Sequence, residues 1–339
     1  MTLAIWLAVL LAGIAAIQWG AQRLTGLLDV LRVRFGLAET ACGALLALGT
    51  ASPEISINIA AVAFGWPGIG LGTALGSNVP ALPLMLSIGY LSMRWHAARN
   101  RRRGKPPPIP FGTGDPALQL KSYSVFVQAL PYLGMVAFVA LLTLPPPWAG
   151  LQTIDGVLLL IAAGAYMAQA LFRRRGEPDP RRKIKRHVLI ALVGIAIIGA
   201  GAVAAVQATN VIGDSLGISP VVAGLFITGL LCALPESIAA WPLAHDGRAT
   251  TTASTTIADG TLSISLAFVP LALSGTPIGD VALYTVNLVA IFALVSLYVF
   301  INRRKPSGYA TGWEVALMDM VYLAYLAAVL FLLLHPVAG

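Results

Sequence analysis

The feature that most limits how this chain can fold is a succession of ten apolar stretches, each about 20 residues or longer. A helix of about 20 apolar residues crosses a hydrocarbon core about 30 Å thick, so each stretch predicts one membrane-spanning helix. Composition agrees, because 58% of the residues are hydrophobic and only 11% are charged, which excludes a water-soluble domain of this size. The predicted spans are residues 3–22, 37–64, 68–93, 123–144, 150–172, 187–208, 218–244, 249–274, 278–301 and 313–335.

Positive charge is confined to one side of this predicted topology. All 22 Lys and Arg residues fall in or beside the five connections on one face, and the four opposite loops contain none. Because basic loops remain cytoplasmic, we expect both termini outside and a location in the plasma (inner) membrane. The same asymmetry explains the net charge of +8 without nucleic acid as a partner. The lipid bilayer is the expected partner, and the sequence leaves the oligomeric state open.

An internal repeat relates the two halves of the chain. Residues 49–83 align without a gap to residues 231–265, which places the Pro-Glu pair at 53–54 opposite the Pro-Glu pair at 235–236. Each pair lies in the second span of a five-span half, and an odd number of spans predicts that the second half inserts upside down. The prediction is therefore an all-α integral membrane protein with two inverted five-helix repeats and broken helices at the midplane. The predicted domains are a first repeat at 1–172, a cytosolic basic linker at 173–186 and a second repeat at 187–339.

Acidic residues inside these spans are the candidate functional groups. A carboxylate at the bilayer centre costs about 2.5–3.5 kcal/mol, and Glu54 and Glu236 occupy matched positions, with Asp259 as a third buried acid. No Lys or Arg is predicted within the membrane to pair with them, so their partner is a proton, a metal cation or a cationic solute. Calcium binds six to eight oxygen ligands, and further oxygens are available from Thr50, Ser52, Ser77, Asn78, Ser237 and Ser263.

Structural explanations of the same residues remain open. The two glutamates could be protonated acids hydrogen-bonded within the bundle, and Asp259 could belong to a helix-breaking turn. Ser and Thr often only pack between membrane helices. Near the span ends, Glu39, Glu314 and Asp319 could act as gating acids, although a solvated helix end is the simpler interpretation.

Two motifs resemble a known family. Gly-Thr-Ala-Ser-Pro-Glu at 49–54, followed by Gly-Ser-Asn at 76–78, is similar to the first alpha-repeat of the cation/calcium exchanger superfamily, which includes sodium/calcium and proton/calcium exchangers. Leu-Pro-Glu at 234–236 and the helix through Asp259 resemble a degenerate second repeat. The resemblance implies that the glutamates of both Pro-Glu pairs hold calcium and that Thr50 and the serine at 77 help to hold sodium.

The chain also departs from the family pattern at several oxygen-bearing positions. Ala51 and Ala233 replace a serine and Cys232 replaces a threonine, while Ala81 and Ser263 occupy the position of a late Asn or Asp. Asp259 replaces the serine that pairs with Ser77 and lies one helical turn, about 5.4 Å, before Ser263. The chain keeps the acids of the family pattern but lacks several of its hydroxyl groups. This combination favours protons over sodium as the coupling ion.

These patterns predict an alternating-access antiporter without a cofactor. It would export calcium (Ca²⁺) or a related divalent cation in exchange for protons (H⁺) or sodium (Na⁺), so that its partners are inorganic cations. Two alternatives are a transporter of the same fold for another metal or an organic cation, and a non-transporting protein derived from an exchanger. An intramembrane enzyme is disfavoured, because Cys232 has no neighbouring His in the sequence and there is no HExxH motif or nucleophile elbow.

Overall fold

The computed structural model describes residues 3–36, 39–103, 118–119, 122–145, 148–171, 184–245, 249–303 and 309–335. Within these ranges, eight helical stretches are long and apolar enough to cross a membrane, and two shorter apolar helices bring the number to ten. The ten coincide with the ten predicted spans. The structure therefore confirms the prediction of a helical, multi-pass integral membrane protein.

The elements are numbered in chain order. Two π-helical segments interrupt the second half of the chain: the first π segment, Gly224–Gly229, and the second π segment, Ser263–Ala267. Two-residue strands, β1 (Leu118–Gln119) and β2 (Tyr309–Ala310), pair antiparallel. The α-helices are α1 Leu3–Arg34, α2 Glu39–Thr50, α3 Ser52–Ala63, α4 Pro67–Arg102, α5 Ser122–Thr143, α6 Thr153–Leu171, α7 Lys185–Leu216, α8 Pro220–Ala223, α9 Leu230–His245, α10 Ala249–Leu262, α11 Phe268–Leu273, α12 Val281–Arg303 and α13 Gly312–Leu334.

The second predicted span is broken at Ala51, between α2 and α3. Pro53 has no N–H group and cannot donate to the carbonyl four residues earlier, which belongs to Gly49. The Ser52 hydroxyl donates to that carbonyl instead, at 2.6 Å, and Ala51 keeps its backbone hydrogen bonds on both sides. The chain bends here without unwinding, so the carbonyl that the proline frees is already hydrogen-bonded.

The second repeat is interrupted at a different place. A break at Pro235 is the expectation from the repeat, and it is wrong, because α9 continues through this proline. The irregular turn is instead the first π segment, which lies where the backbone of α4 approaches closely: a Cβ atom on Gly229 would lie 2.8 Å from the Cα atom of Gly76. The close contact between two backbones, and not the proline, marks the position of the wide turn.

The chain forms two compact units, each of which takes segments from both halves of the sequence. The first unit comprises Met1–Asn78, Leu141–Cys232 and Ala258–Ile278. The second unit comprises Val79–Ala140, Ala233–Ile257 and Gly279–Gly339.

Within the first unit, α1 and α7 make close contact at matched glycines. A Cβ atom on Gly13 would lie 2.9 Å from the carbonyl oxygen of Gly201, and one on Gly20 would lie 2.5 Å from that of Gly194. Small residues allow membrane helices to approach until their backbones touch, which maximises van der Waals contact. The first helix of each five-helix half is thereby packed against the other.

Candidate cation site

Glu54 lies in the first turn of α3, and only 3% of its surface is exposed. The N-terminus of a helix carries partial positive charge, so this position favours a carboxylate. The Ser77 hydroxyl is within hydrogen-bonding reach of the carboxylate, and the negative charge of Asp259 lies close enough to repel it. Among the described residues, the Oε2 atom of Glu54 is buried and has no hydrogen-bond partner. A bound cation or proton would relieve this arrangement of two neighbouring buried acids.

Asp259, near the end of α10, is 6% exposed and is hydrogen-bonded to the break between α2 and α3. The Oγ1 atom of Thr50 donates to the Oδ1 atom of Asp259 at 2.7 Å, and the same hydroxyl lies 3.2 Å from the carbonyl oxygen of Ala47. A threonine hydroxyl has one proton but two lone pairs, so Thr50 can donate to the acid while still offering an oxygen to a cation.

Asn78 and Ser263 form the next pair along the site. The Nδ2 atom of Asn78 donates to the Oγ atom of Ser263 at 3.1 Å and to the carbonyl of Ala74 at 2.6 Å. The preceding residue, Ser77, also has its hydroxyl 3.3 Å from the carbonyl of Ala74. The structure therefore brings together, in the first unit, seven of the eight predicted ligands: Glu54, Asp259, Thr50, Ser52, Ser77, Asn78 and Ser263.

Glu236, the eighth, belongs to the second unit, where it lies in α9 and is half-buried. The adjacent Ser237 is buried and donates to the carbonyl of Ala233 at 2.8 Å, within its own helix. Across the described residues, no group of three or more His, Cys, Asp and Glu side chains is arranged to hold a metal ion. Two carboxylates, surrounded by hydroxyl and amide groups, are thus the core of the cluster in the first unit.

Two of the residues that depart from the family pattern lie in apolar surroundings. Ala51 is fully buried in a cluster with Ala47, Ala258 and Leu262. Cys232 is 2% exposed and belongs to the larger apolar cluster that includes Ile57. Both positions are occupied by packing groups where the family pattern has hydroxyls, and the position of Cys232 also argues against its use as a nucleophile.

Asn58 was missed by the sequence analysis. It lies one helical turn after Glu54, is completely buried, and its Nδ2 atom donates to the carbonyl of Ala267 at 2.6 Å. Its Oδ1 atom has no hydrogen-bond partner among the described residues. A polar residue at i+4 from a buried acid, within an apolar helix, is the signal that could have revealed it.

The acids near the span ends differ from the solvated groups that the sequence suggests. Glu314 is only 3% exposed, and its Oε2 atom accepts hydrogen bonds from the Thr311 N–H and hydroxyl, each at 2.8 Å, in a capping box that begins α13. Asp319 is half-buried, and the Ser87 hydroxyl lies 2.8 and 2.7 Å from its two carboxylate oxygens. The prediction of a solvated end is wrong for Glu314, because the capping geometry buries it. The side chain of Glu39 lies outside the described residues.

Comparison with known proteins identifies one family. The sequence profile described as sodium/calcium exchanger protein matches residues 5–172 and 186–331, one stretch for each five-helix half. No curated protein sequence matches the chain significantly.

Solved structures of the sodium-calcium exchanger NCX_Mj have a similar fold. NCX_Mj soaked with 100 mM Na⁺ and 10 mM Sr²⁺ superimposes with a TM-score of 0.64 at 19% identity, covering 96% of this chain and 99% of that chain. NCX_Mj soaked with 10 mM Na⁺ and zero Ca²⁺ gives a TM-score of 0.63 at 19% identity, with the same coverage of 96% and 99%. The structural likeness establishes the arrangement of the helices, and the sequence profile establishes the kinship.

Proposed function

Because this chain belongs to the sodium/calcium exchanger protein family, and is a membrane transporter rather than an enzyme, we propose that it exports calcium or a related divalent cation in exchange for protons or sodium. Alternating access would expose the cluster around Glu54 and Asp259 first to one side of the membrane and then to the other. The location we propose is the plasma (inner) membrane, with both termini outside and the basic loops in the cytoplasm.

The observation that carries this proposal is the Oε2 atom of Glu54, which is buried near the carboxylate of Asp259 and has no hydrogen-bond partner in the described part of the chain. A buried carboxylate beside a second acid is unfavourable in a low-dielectric interior unless a cation or a proton neutralises it. Glu54 forms no ion pair with any residue that the structure describes. We assign to the transported ion the role of supplying the positive charge that neutralises this carboxylate.

Exchange follows from the charge balance of this cluster. Two ionised carboxylates attract a divalent cation, whereas two protons neutralise the same two oxygens without any metal. The calcium-bound site and the doubly protonated site then have similar net charge, so either can stay buried while the protein changes the side to which the site opens. The empty site with two ionised carboxylates cannot, because its charge is not neutralised. Competition between the ions for Glu54 and Asp259 thus couples their movements in opposite directions.

Protons are the coupling ion that we favour. Sodium needs several neutral oxygen ligands in addition to a carboxylate, and this chain has Ala51 and Cys232 at positions where the family pattern has hydroxyls. Both residues pack in apolar clusters. The carboxylates, by contrast, are retained, and a carboxylate is the group that a proton needs.

Glu236 is the further carboxylate that we propose as a ligand, on the basis of the sequence repeat. Its Pro-Glu pair aligns with that of Glu54 in the second span of its half. Replacing Glu236 with Gln tests this assignment: loss of calcium transport in a correctly folded protein supports it, and unchanged apparent affinity rejects it.

Transport by purified protein in liposomes tests the proposed function. Calcium uptake is measured with an outward proton gradient, with an outward sodium gradient, and with neither, using wild-type protein and Glu54→Gln. We expect the proton gradient to drive calcium uptake in the wild type and Glu54→Gln to remove it. If neither gradient drives uptake, the exchanger function proposed here is wrong.

The same liposomes distinguish the alternatives. Manganese, magnesium or an organic cation that moves against protons while calcium does not would indicate a transporter of the same fold with another substrate. The absence of any cation flux, in protein that still folds, would indicate a non-transporting descendant of an exchanger. Calcium flux driven by sodium alone would reject the preference for protons and keep the rest of the proposal.

A further inference from the structure

The second π segment is held at both ends by asparagine side chains from the first half of the chain. Asn78 donates to the hydroxyl of Ser263 at 3.1 Å, and Asn58 donates to the carbonyl of Ala267 at 2.6 Å. Both asparagines are buried, with 7% and 0% of their surfaces exposed. The contact of Asn78 involves a proposed ligand, whereas that of Asn58 involves none.

The wide turn has a local cause in the sequence. Pro270 follows the segment and lacks an N–H group, and in a regular α-helix its ring would clash with the carbonyl of the residue four positions earlier, Leu266. Leu266 lies inside the second π segment. A turn with more residues relieves this clash, but it leaves the normal sequence of backbone hydrogen bonds incomplete.

Side chains satisfy the carbonyls at both edges of the segment. The hydroxyl of Ser265 lies 2.7 Å from the carbonyl oxygen of Thr261 and 3.2 Å from that of Leu262. At the other edge, the amide of Asn58 donates to Ala267. A membrane interior supplies no water to replace such donors, so their loss leaves the segment free to rearrange.

The segment also sets which residues share a face with Asp259. Ser263 and Ala267 follow it at i+4 and i+8, and all three accept hydrogen bonds from the first half of the chain, from Thr50, Asn78 and Asn58 respectively. In a regular α-helix, residues at i and i+8 are rotated by about 80° from each other, and a wider turn reduces that rotation. The π turn therefore keeps the three acceptors closer to one line.

Asn58 has a fixed orientation in this arrangement. Its Oδ1 atom points to Gly70, where a Cβ atom would lie only 2.6 Å away. Reversing the amide would place Oδ1 against the carbonyl of Ala267, so that two acceptors would face each other. Because Asn58 lies one turn after Glu54 on α3, the helix that carries the acid also carries the donor that holds the segment.

We propose that Asn58 is a positioning residue for the cation site: its amide holds Ala267, and thereby fixes the π turn that presents Asp259 and Ser263 to the bound ion. This role rests on the proposed function, since it matters for transport only where those two residues act as ligands. Asn58 itself does not touch the cation.

Two variants test this role. Asn58→Leu keeps the size of the side chain and removes the donor. Asn58→Thr is the milder change, because a helical threonine donates to the carbonyl four residues earlier and leaves no unsatisfied group of its own. The matched control is Thr73→Val, which removes a completely buried hydroxyl in α4 whose hydrogen bond, to the carbonyl of Ile69 at 2.8 Å, stays within its own helix.

Two measurements are made on each variant. Hydrogen–deuterium exchange followed by mass spectrometry, without calcium, reports on the backbone of residues 263–273. Calcium uptake in liposomes gives the apparent affinity and the maximal rate. For both Asn58 variants we expect faster exchange in this stretch and about three- to tenfold weaker apparent calcium affinity, the loss expected for one hydrogen bond, with the maximal rate largely retained. Thr73→Val should change neither.

The outcomes separate this proposal from the proposed function. Unchanged exchange rates and unchanged affinity in both Asn58 variants, with normal calcium flux in the wild type, would overturn the positioning role alone. The same overall loss of affinity in Thr73→Val would also overturn it, because it would show a general effect of buried polar groups. A wild-type protein without cation flux would instead refute the exchange function.

Discussion

Thr50 donates a hydrogen bond of 2.7 Å to Asp259, a residue 209 positions later in the chain. Asn58 and Ala267 are also 209 positions apart and are also hydrogen-bonded. From the first contact to the second, both partners advance by eight residues, from Thr50 to Asn58 and from Asp259 to Ala267. The two helical stretches therefore run in the same direction. This agrees with the ten-span order, in which the second and eighth spans cross the membrane in the same direction.

Replacing Thr50 with Val is expected to weaken calcium binding by about three- to tenfold, because the acid loses its hydrogen-bond donor and the ion loses a neutral oxygen. Equilibrium binding of calcium to the purified protein measures the change. Thr285→Val is the control, since Thr285 is exposed and its hydroxyl donates to the carbonyl of Val281 in its own helix. Equal affinities in the two variants would remove Thr50 from the site.

Glu54→Gln and Glu314→Gln should have opposite effects on binding and stability. Neutralising Glu54 removes a charge that Asp259 repels, so we expect loss of calcium binding with the free energy of unfolding unchanged or raised by on the order of 1 kcal/mol. Neutralising Glu314 weakens the capping box of α13, at a cost of about 0.5–2 kcal/mol, with calcium affinity retained. Thermal unfolding and calcium binding are measured on both proteins. Strong destabilisation by Glu54→Gln would show that this acid serves packing instead of ion binding.

Calcium affinity should rise with pH in the acidic and neutral range. In the proposed site the cation binds the ionised carboxylates, so its binding would release the protons that Glu54 and Asp259 hold. Each released proton makes the affinity up to about tenfold stronger per pH unit. Binding isotherms from pH 5 to 9 measure this dependence, and Glu54→Gln or Asp259→Asn should reduce its slope. Affinity that is the same at every pH, but falls as sodium is added, would contradict proton coupling.

Ala51→Ser tests the proposed preference for protons over sodium. The change restores an oxygen at a family position that is here fully buried among Ala47, Ala258 and Leu262. We expect sodium to compete with calcium several-fold more strongly in this variant. Ala60→Ser, which places a hydroxyl at another buried position, 5% exposed, in the same helical stretch, should leave sodium competition unchanged. Identical sodium competition in both variants would mean that position 51 does not select the coupling ion.

The sequence predicted the parts of this structure that depend on local properties. Apolar length predicts the ten helices, and the rarity of carboxylates within them singles out Glu54 and Asp259, which the structure buries near each other. The first helix is longer than the predicted span at 3–22, because α1 continues through charged residues to Arg34. Near its end, Arg32 and Asp29 form a 3.0 Å ion pair, and Gly36 then adopts a φ of 60°. Hydropathy measures where a helix meets lipid and not where its hydrogen bonding ends.

Tertiary contacts account for what the sequence did not predict. Pro235 and Pro53 look equivalent along the chain, but the helix breaks near Pro53 and continues through Pro235. In the second half the irregular turn is the first π segment, where the backbone of Gly229 lies against that of Gly76. The role of Asn58 depends on a carbonyl 209 positions away. Neither feature produces a periodic pattern in the sequence, since each depends on which part of the backbone lies against it in the folded protein.

The contact between α1 and α7 gives a prediction about stability that does not depend on the ion. Gly20→Ala would place a Cβ atom 2.5 Å from the carbonyl oxygen of Gly194, and overpacking of this kind costs about 1–3 kcal/mol. Gly199→Ala is the matched control, because no atom of the described residues beyond the neighbouring backbone of its own helix lies within 4 Å of the added atom. Alanine is also favoured over glycine in a helix by up to about 1 kcal/mol. Thermal unfolding in detergent should therefore move in opposite directions for the two variants. If Gly20→Ala is as stable as Gly199→Ala, the backbones of α1 and α7 are not in direct contact at this position.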